Sequence, residues 1–132
     1  MNNHKIEAVL AKLNNIQLVD NHPGYWVILL DNYQLHIITD EKSNRMRIIS
    51  PIIDVKDLKE NQLTEAMQAH FHKALDIKYA IYDERVWSVY THYLEELTKK
   101  MFIDAISQVY LGASNFGESY SSSNLFFGAG DN

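Results

Sequence analysis

The sequence predicts an α+β domain in which one mostly antiparallel five-stranded sheet carries packed helices. Apolar residues recur at spacings of three and four near both ends and in the middle of the chain. Five short stretches between them alternate in polarity or are rich in branched and aromatic residues, and Pro, Gly, Asn and Asp gather at the junctions. The predicted order is helix, three-stranded meander, helix, two-stranded hairpin, helix.

The first helix is read from Ile6, Val9, Leu10, Leu13 and Ile16, which fall on one stripe, with Asn2 or Asn3 as its N-cap. Asn14, Asn15 and then Asn21-His22-Pro23-Gly24 end that segment. Tyr25–Leu30 is too short and too rich in branched and aromatic side chains for a helix, so it is expected as the first strand. Asp31-Asn32 makes a tight connection, because both residues tolerate positive φ. Residues 33–39 and 45–50 alternate and complete the meander around the polar loop 40–44. Pro51 closes the third strand.

Asp57 and Glu60 have the spacing of a capping box, and Leu63, Met67, His70 or Phe71, and Ala74 continue at helical intervals to about Leu75 or Asp76. Ile77, Tyr79 and Ile81 alternate with Lys78, Ala80 and Tyr82; after the Asp83-Glu84 turn, residues 86–91 run back as the fifth strand. Thr98 is expected to cap the last helix, with Leu97 and Phe102 placed as a hydrophobic staple and Gly112 as its stop. The domain is therefore drawn over residues 1–112. Residues 113–132 form a tail rich in Ser, Gly and Asn that also holds Phe116, Tyr120, Leu125, Phe126 and Phe127, more apolar surface than a solvating tail carries.

Composition narrows the function. A formal charge of -5 without a basic cluster argues against nucleic acid, Arg45 and Arg47 being the densest cationic pair. No cysteine means no disulfide, thiolate metal site or Cys nucleophile. Glu7 and Lys12 interrupt any secretory leader, and Tyr25–Leu30, the longest apolar run, falls far short of the roughly 18 residues of a membrane span. A cytoplasmic protein without membrane contact is expected.

No side-chain constellation calls for catalysis, a cofactor or a metal. His70 and His72, two apart on the expected helix, point about 200° away from each other and cannot share an ion. Asp54, Asp57 and Glu60, Asp83-Glu84 and Glu95-Glu96 fall at a helix start, a turn and a connection, where acids need no buried partner. Ser121 to Ser123 occupy no nucleophile elbow, and the glycines from Gly112 onward follow no strand.

Alternation places Leu35, Ile37, Met46, Ile48, Ile77, Tyr79 and Ile81 on the core face. Gln34, His36, Arg45, Arg47, Ile49, Lys78 and Tyr82 fall on a mixed face. Tyr25–Leu30 is apolar on both sides, and Trp87, Val89 and Tyr90 leave the fifth strand no clean polar side. Such strands want cover twice over. Either the termini or another polypeptide supplies it, and a homodimer using this surplus is expected.

The element order, together with Met46-Arg47-Ile48-Ile49-Ser50-Pro51, residues 74–82 and residues 87–98, resembles the type III secretion chaperone (Tir-chaperone or CesT-like) family and the related YbjN-like proteins, over about residues 1–113. The resemblance implies a non-enzymatic dimer that holds an unfolded segment of another polypeptide on hydrophobic surface, with no catalytic residue to carry over. The Ser-rich tail departs from short secretion chaperones and favours the YbjN-like branch. Tyr25, Trp26, Trp87 and Tyr90 are the residues expected to meet the partner polypeptide. The alternative is a small-ligand sensor or minor enzyme with a pocket between sheet and helices, lined by Tyr79, Trp87 and Tyr90. A large apolar groove would favour the first, a closed pocket with converging polar groups the second.

Overall fold

The computed structural model describes residues 1–125. Helix α1 (Asn3–Lys12) leads into strands β1 (Gln17–His22), β2 (Tyr25–Leu30), β3 (Tyr33–Asp40) and β4 (Arg45–Asp54). A 3-10 turn (Val55–Asp57), α2 (Gln62–Ala69), β5 (Lys78–Tyr82), β6 (Arg85–Tyr93) and α3 (Lys99–Ser114) follow. One antiparallel sheet runs β1-β2-β3-β4-β6-β5. The α+β class and the antiparallel sheet are as expected. The sheet, however, has six strands rather than five, and the meander before α2 has four rather than three.

The additional strand is β1. It is almost wholly exposed, so its residues carry no apolar alternation to betray it. Pairing makes it a strand: Gln17 lies opposite Leu29 and His22 opposite Tyr25, with a bulge between Leu18 and Asp20. Pro23-Gly24 is therefore a hairpin turn and not a helix terminator. Gly24 has φ +89, the left-handed value that the third position of a type II turn demands after proline. Consequently α1 stops at Lys12, with Asn2 as its cap accepting from the Lys5 amide, and Ile16 packs from the connection.

Helix α2 also differs from expectation. Asp57 lies in the 3-10 turn and does not cap it. The helix starts after Asn61, which holds φ +71 and makes no side-chain cap, while Gln62 Oε1 accepts from the Lys59 amide. It ends at Ala69 rather than near Leu75, where the His70 and Phe71 amides tighten onto the Met67 and Gln68 carbonyls and the Ala74 amide reaches back five residues to Ala69. Helix α3 begins as predicted: Thr98 Oγ1 accepts from the Met101 amide, and Leu97 and Phe102 join one cluster. It does not stop at Gly112. A Cβ there would lie 2.7 Å from Ile77 Cδ1 and 2.9 Å from Ser88 Oγ, so glycine is present because α3 presses directly on the sheet.

The core lies between the sheet and α1 and α3. Ile6, Val9 and Leu10 of α1 and Phe102, Ala105, Ile106 and Val109 of α3 pack on Trp26, Ile28, Leu35, Ile37, Met46, Ile48 and Tyr90. Ile77 is also buried here as expected, whereas Tyr79 is half-buried and Ile81 lies exposed at the sheet edge. A smaller cluster forms where Ala66 and Ala69 of α2 meet Tyr120, with Tyr79 and Phe116 against it.

Candidate functional site

Two-residue alternation and the observed register assign the opposite face of the sheet without ambiguity. One cross-strand row reads Val27, His36, Ile49, Val89 and Lys78 across β2, β3, β4, β6 and β5. Beside it on one side run Tyr25, Ile38, Arg47 and Thr91. On the other side lie Pro51, Trp87 and Ala80. Val27 and Val89 are buried, yet neither belongs to the core cluster beneath the helices. The helices' clustered residues all face the other side, so among the described residues this apolar row has no helix over it.

Aromatic rings organise the face. Tyr25 Oη lies 2.7 Å from His36 Nδ1, and the His36 ring meets Trp87 edge-on at 6.4 Å. Trp87 Nε1 donates to the Tyr82 carbonyl at 2.8 Å, which satisfies its one polar atom and leaves the ring as an apolar platform. Burial lowers the His36 pKa from its ordinary value, so the imidazole is neutral near pH 7.

The charges on this face run against the net charge of the chain. Arg47 on the inner strand β4 and Lys78 on the edge strand β5 stand exposed and form no ion pair among the described residues, while Arg45 lies 4.2 Å over the Tyr93 ring. The carboxylates are marginal. Asp20 contacts His22 at 2.8 Å, Asp54 pairs with Arg85 at 3.4 Å, and Asp40 accepts from the Ser43 amide.

The four residues expected to touch a partner are divided by the fold. Tyr25 and Trp87 lie on the helix-free face. Trp26, at 0% exposure, and Tyr90, at 6%, point into the chain's own core, so neither offers contact surface. The ligand pocket drawn from Tyr79, Trp87 and Tyr90 does not form, since Trp87 is on the far side of the sheet from the other two. Tyr79 instead stacks on His70 at 5.7 Å, packs against Phe116 and Tyr120, and donates to the Gly112 carbonyl at 2.7 Å; burial pushes its pKa well up.

His70 and His72 lie beyond the end of α2, which removes the helical geometry invoked for them. His70 Nε2 accepts from the Tyr79 amide at 3.0 Å and His72 packs edge-on against Phe71. No three His, Asp or Glu residues among those described converge as metal ligands. A concavity of about 710 Å³ is lined by Asp54, Val55, Ile81, Asp83, Glu84 and Arg85; Asp83 and Glu84 are exposed and belong to the β5–β6 turn, both with positive φ.

Sequence reasoning missed the outer stripe of α2. Leu63 and Met67, four apart on the outer side of α2, are 45% and 71% exposed, and Phe71, just past the helix end, is 79% exposed. Their helical spacing is visible in the sequence, but spacing alone does not say which side of a helix is covered. The inner side of α2 is claimed by the small residues Ala66 and Ala69 together with Tyr120 from the tail. The described part of that tail lies on the helix side and not over β2: Tyr120 Oη donates to Glu65, and Ser122 Oγ accepts from the Leu75 amide. Phe126 and Phe127 lie outside the described residues.

No family model matches the chain, and no curated protein matches it. Solved structures do. The HopA1-SchA chaperone-effector complex aligns with a TM-score of 0.62 at 14% identity over 85% of this chain and 87% of that one. The ExsC-ExsE complex gives 0.62 at 14% over 86% and 92%. The Yersinia pestis type III secretion chaperone SycH, in complex with a stable fragment of YscM2, gives 0.63 at 12% over 87% and 98%. The chain has the fold of type III secretion chaperones, as the sequence resemblance implied.

Proposed function

We propose that the protein is a non-enzymatic, chaperone-like binding module that holds a segment of another polypeptide on the helix-free face of its sheet. The observation that carries this is the row Val27, Ile49 and Val89 flanked by Tyr25 and Trp87, apolar and without a helix over it. Tyr25 is exposed and Ile49 and Trp87 are half-buried around the two buried valines, and partly exposed apolar side chains gathered on one face are a recurrent mark of protein–protein contact. The solved structures of like fold, each a complex with a second polypeptide by its name, support the same reading. A cytoplasmic site of action belongs to the same reading; no described helix is long and apolar enough to cross a membrane. The Ser-rich tail supports placing the chain beside YbjN-like proteins rather than with one secretion system.

The test is binding of a labelled, permanently unfolded chain such as reduced and carboxymethylated lactalbumin, followed by fluorescence anisotropy. Val89→Asp puts a charge at the centre of the face and is expected to weaken binding by about tenfold or more. Binding unchanged by Val89→Asp and by Trp87→Ala contradicts the assignment.

A homodimer belongs to the same reading, with its contact moved from β2 to the outer stripe of α2. Trp26 and Ile28 are already covered by their own chain, whereas Leu63, Met67 and Phe71 are not. Burying such side chains in a symmetric pair recovers about 1.5–3 kcal/mol each. Sedimentation of the full chain is expected to show a dimer that Met67→Asp with Phe71→Asp converts to a monomer. A monomer at all concentrations, or a dimer indifferent to both substitutions, refutes this contact.

A further inference from the structure

On the reading of the helix-free face as a polypeptide-binding surface, we infer that its occupant is an extended acidic segment with two carboxylates four residues apart and an apolar residue midway. The inference rests on where two unpaired cations sit. The sequence carries a formal charge of -5, so an excess of carboxylates is the background expectation on any surface. This face reverses it. Arg47, on the inner strand β4, and Lys78, on the edge strand β5, are exposed without an ion-pair partner among the described residues. The carboxylates nearest the face are occupied: Asp20 by His22, Asp54 by Arg85, and Asp40 by the Ser43 amide.

The register sets the spacing. Arg47 lies on β4 opposite Thr91 of β6, and Lys78 lies on β5 opposite Val89 of β6. The two cations are therefore two strands apart across the sheet and one two-residue step apart along it, which places their Cα atoms about 12 Å from each other. An extended chain rises about 3.3 Å per residue, so its residues i and i+4 lie roughly 13 Å apart and point the same way. The line between the cations crosses β6 between Val89 and Thr91, so the residue midway points down onto that stretch, with Ile49 beside it on β4. Carboxylates at i and i+4 then meet Arg47 and Lys78, while an apolar side chain at i+2 covers the buried valine. Trp87 and Tyr25 flank this path and offer flat apolar surface to residues beyond it.

A nucleic-acid strand, the other polyanion that aromatic rings and cations attract, fits less well. Two free cations neutralise little of a phosphate backbone, and the net charge repels it.

The experiment uses the full chain and three labelled peptides of equal length built around Glu-Ser-Leu-Ser-Glu, Gln-Ser-Leu-Ser-Gln and Lys-Ser-Leu-Ser-Lys, together with a labelled single-stranded oligoribonucleotide. Anisotropy is read at low and moderate salt. The Glu peptide is expected to bind roughly fivefold to tenfold more tightly than the Gln peptide, with the Lys peptide weakest, and the margin shrinks as salt screens the contacts. Arg47→Glu with Lys78→Glu is expected to reverse the order; both side chains are exposed, so the fold is retained. Equal binding of the Glu and Gln peptides, lost with Val89→Asp, overturns the acidic preference and leaves the polypeptide-binding face standing. Binding of no peptide, or of the oligoribonucleotide alone, overturns both.

Discussion

Replacing Trp26 by alanine is expected to lower the free energy of unfolding by about 3–5 kcal/mol, while Trp87→Ala costs about 1 kcal/mol or less and acts on binding. The chain has two tryptophans, and the sheet separates them. Trp26 is fully buried on β2 between α1 and α3, opposite Ile37, in a cluster that has no room to relax around a missing indole. Its Nε1 has no hydrogen-bond partner among the described residues, so the whole loss comes from packing and cavity formation. Trp87 is partly exposed on the other face and held by one hydrogen bond to the Tyr82 carbonyl. Urea unfolding followed by circular dichroism separates the two. Equal destabilisation by both substitutions would contradict the division of faces.

Gln108→Leu is expected to cost about 2–4 kcal/mol despite conserving side-chain volume, because it orphans polar groups rather than opening a cavity. Gln108 is 1% exposed on α3. Its Nε2 donates to Asp76 and to Asp104, each at 2.8 Å, and its Oε1 accepts from the Asp76 amide at 2.9 Å and from Ser122 Oγ at 3.2 Å. Ser122 is fully buried; its amide donates to the Lys73 carbonyl, and its Oγ accepts from the Leu75 amide. One glutamine thereby fastens α3, the α2–β5 connection and the tail together. Denaturation gives the energy, and limited proteolysis gives the location: Gln108→Leu is expected to open residues 115–125 to cleavage. Full stability with a protected tail would remove Gln108 from this role.

Features set by neighbouring residues were readable in the sequence. Thr98 caps α3 because a cap needs only its own oxygen and an amide three residues on. The β5–β6 turn followed from Asp83-Glu84, and the core positions Leu35, Ile37, Met46 and Ile48 followed from alternation. Features that depend on distant pairing were not. β1 is exposed and owes its conformation to β2, so nothing within residues 17–22 announces it. Nothing local marks Gln108 as buried, because its partners Asp76 and Ser122 stand 32 and 14 positions away.

The candidate site was half legible for the same reason. That β2 and β6 are apolar on both sides was visible; α1 and α3 cover one side, and among the described residues no helix lies over the other. Which side the chain covers itself depends on where α1 and α3 dock, and that docking assigns Trp26 and Tyr90 inward and Tyr25 and Trp87 outward. The cation pair needed the β4–β6–β5 order, since Arg47 and Lys78 are 31 positions apart in sequence and come onto one face only across β6.

Neighbouring isoleucines on β4 give the most direct test of the face. Ile48 lies in the core opposite Tyr90, and Ile49 lies on the helix-free side opposite Val89. Methyl-labelled protein is titrated with the unfolded lactalbumin chain and the methyl resonances of isoleucine and valine are followed. Shifts or broadening at Ile49, Val89, Val27 and Ile38, with Ile48, Ile37, Ile6 and Val109 unmoved, are the expected result. Binding that perturbs neither Ile49 nor Val89 would contradict the account.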